Sequence, residues 1–196
     1  MLKRVLLFLI LSIVFGTSNL WASKYAIDPD HSSVSFKIRH LFSWVNGSFD
    51  KFQGTVEYDP DHPELWKAQA TIDATSINTK VAQRDTHLKS KDFFDVANFP
   101  EISFTSTGIT DLSGHTAKLN GILKIHGVEK PVMLDIEILG AGKDPWGNSL
   151  AAFTGSITIN RKDFGLTWNQ AVETGQLLVG EEVIIRIDME AILQAS

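Results

Sequence analysis

Histidine, arginine and carboxylate side chains are where this chain could do chemistry. Its six histidines stand at 31, 40, 62, 87, 115 and 126. None is spaced from another as metal ligands are, and His31 and His40 fall nine residues apart, at the two ends of one strand-like run. No metal is expected; His31, His87 and a carboxylate are the one set from which the fold would have to assemble a site. Asp28 and Asp30 flank Pro29, which suits a turn. Asp85, Asp92 and Asp95 suit helix caps or a solvated face. Arg39, Arg84 and Arg161 read either as surface ion pairs or as cations kept to meet a polar group inside the protein. The chain contains no Gly-x-Ser-x-Gly nucleophile elbow, no His-Glu-x-x-His, no phosphate-binding glycine loop and no dinucleotide fingerprint. It also has no cysteine, which excludes disulfides, thiolate metal sites and cysteine nucleophiles.

Composition narrows the classes further. Of 196 residues, 43% are hydrophobic and 21% charged, which is ordinary for a globular chain. A net charge of −5 argues against a nucleic-acid partner, which calls for a basic face. Lys3 and Arg4 precede an apolar run from Val5 to Phe15, broken only by Ser12. Small and polar residues follow from Gly16 to Asn19, and Ala22 suits a cleavage site. This pattern predicts a signal peptide over residues 1–22, its apolar run shorter than the roughly 20 residues of a membrane span. Residues 23–196 are then one exported domain, periplasmic or fully secreted. Losing Lys3 and Arg4 leaves 16 basic and 23 acidic residues, a net of −7. Without disulfides, its stability must come from a large hydrogen-bonded core.

The elements that position these side chains are strands. Apolar and polar residues alternate with period two in eight stretches, centred on Val34–Ile38, Phe52–Tyr58, Ala68–Ile72, Ile102–Phe104, Leu119–Ile125, Val132–Ile138, Phe153–Ile159 and Val183–Met189. Ser113-Gly114, Gly127 to Pro131 and Asp144-Pro145-Trp146-Gly147 read as short turns, which predicts an antiparallel meander. Thr79 to Phe99 breaks the alternation. There Thr79 is expected to cap a short helix reaching about Ser90, with Asp92 starting a second turn.

Eight amphipathic strands need a common place to hide eight apolar faces. A sandwich and a closed barrel both provide one. Closure removes exposed edges, and an eight-stranded barrel is wide enough to hold one small ligand. Gly54, Gly121 and Gly155 fall on the apolar face. They either allow bending and close contact or leave internal room. Energetics favour binding over catalysis. About 0.8 kcal/mol per buried methylene gives roughly 8 kcal/mol for ten, near micromolar affinity before ordering costs. Phe, Ile, Leu and Val alone can therefore hold a long apolar chain.

Several short motifs occur in a definite order: Ile27-Asp28 with His31-Ser32, Val45-x-Gly47-x-Phe49, Ser76-Ile77-Asn78-Thr79 and Arg84-Asp85-x-His87-Leu88. Asp92-Phe93-Phe94-Asp95 then leads into Phe99-Pro100-x-Ile102-x-Phe104 and Gly121-x-Leu123-x-Ile125-x-Gly127. Arg161-x-Asp163-Phe164-Gly165 and Val179-Gly180-Glu181-x-Val183 complete the set. In this order and spacing, from about Tyr25 to Ala191, the chain resembles the YceI-like family of exported lipid- or polyisoprenoid-binding proteins. Departures fall around Asp61 to Trp66 and Gly140 to Ser149.

The resemblance implies an all-β, eight-stranded antiparallel, lipocalin-like barrel with a short helical segment covering one end. It implies a periplasmic carrier holding a polyisoprenoid or quinone-like lipid, with no enzyme activity, metal or cofactor. The lumen wall it implies is Phe36, Ile38, Phe49, Phe52, Val56, Ile72, Ile102, Phe104, Leu123, Ile125, Phe153, Ile157, Val183 and Ile185. Leu88, Phe93, Phe94 and Phe99 would plug or gate an end, and Phe164 and Trp168 would line the long connection before the last strand. His31, Arg39, Asn78, Arg84 and His87 are the candidate head-group contacts. The lipid is the expected partner, a homodimer is left open, and no integral membrane segment remains after signal cleavage.

Two other classes stay in view. An enzyme acting on an isoprenoid-like substrate in the same lumen would use His31, His87 or Asp85. An envelope protein binding other proteins would present Trp44 or Trp66 at its surface.

Overall fold

A computed structural model describes residues 22–194 apart from 172, 174 and 176; the expected signal peptide, Ala22 aside, lies outside the described residues. The strands are β1 (Ser23–Ile27), β2 (Ser33–His40), β3 (Ser43–Phe49), β4 (Phe52–Tyr58), β5 (Lys67–Asp73), β6 (Ile77–Asn78), β7 (Glu101–Ser113), β8 (Thr116–Ile125), β9 (Val128–Lys143), β10 (Ser149–Asn160) and β11 (Val179–Leu193). One α-helix, α1, spans Ala82–Lys89. The order β1-β4-β5-β7-β8-β9-β10-β11 closes on itself where β11 pairs with β1. The molecule is thus an eight-stranded barrel in which each strand pair is antiparallel.

β1, β3 and β6, which the alternation does not single out, are parts of longer strands. Ala191–Leu193 equivalents of β11 pair with β1, while Val183–Asp188 pair with β2. β3 pairs with β2 on one side and β6 on the other. So β1/β2, β3/β4 and β5/β6 are three long strands interrupted side by side. Backbone hydrogen bonds tie the interruptions together: Asp28 N to Glu190 O (2.9 Å), Asp50 N to Ser76 O (3.2 Å) and Asp73 N to Lys51 O (2.9 Å). Each short half carries too few apolar residues for its period to stand out.

The wall also parts on the other side. Pairing of β10 with β9 stops at Ser156 opposite Asp135, so the first half of β9 has only β8 beside it. Pro131 sits in that edge, opposite Ile122, where its missing N–H leaves no ladder bond unmade. The expected turn through Pro131 is therefore shorter: it consists of His126 and Gly127, both at positive φ (51° and 74°). The 3₁₀ turn Arg161–Phe164 packs against β9, β10 and β11. Phe164, only 2% exposed, drives it into the core.

The helical expectation holds with a different start. Val81, not Thr79, precedes the first helical residue, and it makes no side-chain cap. Thr79 is buried instead. Its N–H and Oγ1–H both donate to Asp85 Oδ1, at 2.8 and 2.6 Å. Asp85 thereby reaches back across the first turn and anchors α1 to β6. From Ser90 to Phe99 the chain folds in tight turns, with Phe94 N donating to Leu88 O at 3.0 Å.

Two buried clusters follow from this arrangement. Near the helical end, Phe49, Ile77, Ile102, Ile125, Phe164 and Leu166 pack with Leu88, Phe94 and Val96. Near the far end, Tyr25, Tyr58, Trp66, Ile138, Ala151 and Ala191 pack with Val56, Ile109 and Phe153.

Candidate functional site: an apolar cavity inside the barrel

Alternation points every second side chain of each strand inward. Together these residues enclose a cavity of about 360 Å³ running between the two clusters. That volume lies within the roughly 300–1,000 Å³ of small-molecule sites. Its surface is almost wholly apolar.

All fourteen residues expected in the lumen wall line it: Phe36, Ile38, Phe49, Phe52, Val56, Ile72, Ile102, Phe104, Leu123, Ile125, Phe153, Ile157, Val183 and Ile185. Leu88, Phe93, Phe94 and Trp168 also line it. Phe99 does not: its ring packs on His126, centroids 4.5 Å apart, and over Gly127. Nor does Phe164, which fills the parted wall behind β9. Further lining comes from Val34, Leu119, Leu134, Ile136, Ile187 and Met189. Their strand parity already marked them as inward. Leu178, Val179 and Leu166 come from the connection before β11 and from its start, where no period exists to reveal them.

Aromatic contacts close both ends. At the far end, Tyr58 meets Trp66 at 4.8 Å and Phe153 edge-on at 5.2 Å. Trp66 is buried, with its Nε1–H donated to the carbonyl of Asp59, so it offers no surface for a protein partner. At the helical end, His87, Phe93 and Trp168 form a triangle with centroids 4.8 to 5.1 Å apart. Phe49 bridges Phe36 (5.7 Å) and Phe94 (5.8 Å).

The five expected head-group contacts divide. Arg84 and His87, both on α1, line the cavity. Arg84 Nε donates to Thr79 Oγ1 (2.7 Å) and Nη2 to Thr79 O (2.9 Å). His87 Nε2 stands 2.9 Å from Asp92 Oδ2. Arg39, His31 and Asn78 face elsewhere. Arg39 alternates with Ile38 and so points outward, 5.0 Å from the exposed ring of Trp44 in a cation–π contact. Lys37 lies over the same ring at 5.3 Å. Asn78 Nδ2 donates to Asp50 Oδ2 at 2.8 Å. Ser48 donates to the other oxygen, and the two bonds hold the Asp50 carboxyl below its ordinary pKa.

His31 sits in the β1–β2 turn, with Nδ1 2.7 Å from Asp28 Oδ2 and 3.8 Å from Glu190 Oε1. The hydrogen bond between them lowers the Asp28 pKa and raises that of His31. Ligand atoms of Asp28, His31 and Glu190 lie within 4.8 Å of one another. Among the described residues this is the one grouping close enough to hold a metal. It has the character of an exposed ion pair, and it does not include His87.

Strand parity and the connection supply two polar groups in place of those three. His40, the inward neighbour of Arg39, lines the cavity at the end of β2. Arg161 lines it from the 3₁₀ turn and is 2% exposed. Its Nε donates to Gly180 O at 2.8 Å and its Nη1 to Leu166 O. Burial pulls its pKa down and Glu181 pulls it partly back.

The inward glycines divide as well. A Cβ on Gly54 would overlap the carbonyl oxygen of Gln69, and one on Gly121 would overlap the Phe104 ring. Both allow close contact and leave no room. At Gly155 a Cβ would meet nothing nearer than 3.8 Å, and Gly155 lines the cavity.

Comparison with known proteins agrees with this architecture. The family model described as YceI-like domain matches residues 25–191. Protein YceI of Salmonella arizonae is 40% identical over 170 residues, covering 85% of this chain and 88% of its own. The crystal structure of BcnA from Burkholderia cenocepacia superposes with a TM-score of 0.75 at 26% identity, over 84% of this chain and 99% of that one. A polyisoprenoid binding domain from Saccharophagus degradans, implicated in plant cell wall breakdown, shares the fold at a TM-score of 0.63 and 17% identity, over 87% of this chain and 98% of that one. A barrel of this topology, matched along nearly its whole length by the family model and by relatives at this identity, belongs to the YceI-like domain family.

Proposed function

We propose that this chain is a binding protein that holds one long apolar lipid, of polyisoprenoid or quinone-like type, inside the barrel. The observation that carries this reading is the apolar cavity of about 360 Å³, walled by inward strand residues. The Saccharophagus domain of the same fold, described as polyisoprenoid binding, supports the choice of lipid class. Family membership supports a carrier or reservoir role in the periplasm, reached by removal of residues 1–22. Among the described residues no helix is long and apolar enough to cross a membrane.

Binding is favoured over catalysis by how the polar candidates are used. Asp85 is engaged by Thr79, and His87 is held by Asp92 among aromatic rings. His31 lies in an exposed turn, paired to Asp28.

The test is native mass spectrometry, with organic extraction, of protein exported by its own host. The expected result is one lipid per chain and a mass that begins at Ser23. Protein that is consistently lipid-free, and that takes up neither polyprenols nor quinones when offered, overturns the reading. Light scattering on the same sample distinguishes a monomer from a homodimer.

A further inference from the structure

Among the described residues, Arg161 Nη2 is the one buried side-chain nitrogen or oxygen without a hydrogen-bond partner. A guanidinium has five N–H donors and cannot shed its charge. Nε and Nη1 each donate to a backbone carbonyl, which leaves Nη2 without an acceptor on a residue that lines the apolar lumen. Among the described residues no carboxylate is in ion-pair contact with it. Glu181, the acid that acts on it, is bound to Lys162. Burying a charged donor without an acceptor is costly, so such a group marks a place where a partner is due.

The fixed charges along the cavity are sorted by end. Arg84 on α1 lies at the helical end with Arg161, and the imidazoles of His87 and His40 line the same end. The one carboxylate in the lining, Glu57, is near the far end, where Lys67 stands 3.2 Å away. The helical end is therefore cationic, and the far end is neutralised.

We infer that Arg161 anchors the head of the bound lipid, and that this lipid is an amphiphile with an anionic oxygen head, lying with its head at the helical end and its tail toward Tyr58 and Trp66. The inference rests on the lipid-binding reading above and adds the chemistry of the head. A carboxylate or a phosphate provides the same thing to Nη2: a charged acceptor, which gives a stronger hydrogen bond than a neutral oxygen.

The test compares lipids matched in tail and different in head, by calorimetric titration of the delipidated mature chain. Farnesyl phosphate is set against farnesol, palmitate against hexadecanol, and inorganic phosphate is titrated alone. At least one anionic lipid should bind ten times or more tighter than its alcohol, with inorganic phosphate far weaker. Arg161→Met should abolish that preference while farnesol binding persists; Arg161→Lys should keep part of it. The alcohols binding as tightly as their anionic partners would overturn the anchor and leave lipid binding intact. So would an Arg161→Met protein that folds and keeps the preference, or inorganic phosphate binding as well as farnesyl phosphate. If none of the four lipids binds, the lipid reading itself fails. Should Arg161→Met not fold, Arg161→Lys decides: an undiminished preference for the anionic lipid in that variant overturns the anchor.

Discussion

The ring of Phe104 lies against Gly121 so closely that a Cβ there would overlap it, and would also stand 2.7 Å from the carbonyl of Thr105. Gly155, two strands away, faces open lumen at ordinary contact distances. Gly121→Ala should therefore cost about 1–3 kcal/mol of stability, the usual range for overpacking. A urea midpoint equal to that of the wild type would refute this.

Gly155→Leu should do the reverse. The side chain enters the cavity and competes with cargo, so lipid content should fall several-fold while the unfolding midpoint stays within the range of ordinary substitutions. Titration with a polyprenol and urea unfolding on the same preparation check both halves. Unaltered lipid capacity would mean that the space beside Gly155 is not used.

Asp85 holds a buried threonine. In Asp85→Ala, Thr79 N and Oγ1 both lose their acceptor, at a cost of about 1–3 kcal/mol. Asp85→Asn keeps an acceptor oxygen and should lose less. Equal losses in the two variants, by chemical unfolding, would show that the acceptor is not what matters.

Trp168 closes the helical end against His87 and Phe93. Each aromatic pair of this kind contributes about 0.5–1.5 kcal/mol beyond area burial. Trp168→Ala should loosen that end and speed release of a bound fluorescent fatty acid in stopped-flow exchange. An unchanged release rate would place the exit elsewhere.

The Asp28–His31 pair gives a pH dependence with a defined sign. Asp28 titrates below its ordinary value of 3.8 in the folded state, so its contribution is present above that pH and is lost as pH falls through the lower folded value. His31 titrates above its ordinary 6.5, so its contribution is full below that pH and is lost as pH rises through the folded value. The destabilisation caused by His31→Gln should then be larger at about pH 5.5 than at about pH 8.5. A midpoint difference that does not depend on pH would sink the pair as a stabilising contact.

How much of this was legible in residues alone varies with the kind of information each element carries. Period two in a strand is local and repeats, so β2, β4, β5, β7, β8, β9, β10 and β11 and their inward faces could be read directly. The same parity places Arg39 outside and His40 inside, although Arg39 and not His40 was among the expected head-group contacts. The halves β1 and β6 are too short to carry a period, and β3, as long as β4 and β5, breaks its own with Asn46, Gly47 and Ser48; they become strands only because β11, β2 and β3 lie alongside.

What the amino-acid sequence by itself determined was a cysteine-free chain of alternating strands with an apolar face in need of cover. Which glycines leave space was decided only in three dimensions, because Gly54, Gly121 and Gly155 look alike until a neighbouring strand and its side chains are set against each. The same holds for Arg161. Its partners come from Leu166 and Gly180, and its position at the cationic end of the lumen depends on a connection with no periodicity. A side chain's environment is a sum over distant segments, and only the folded barrel brings those segments together.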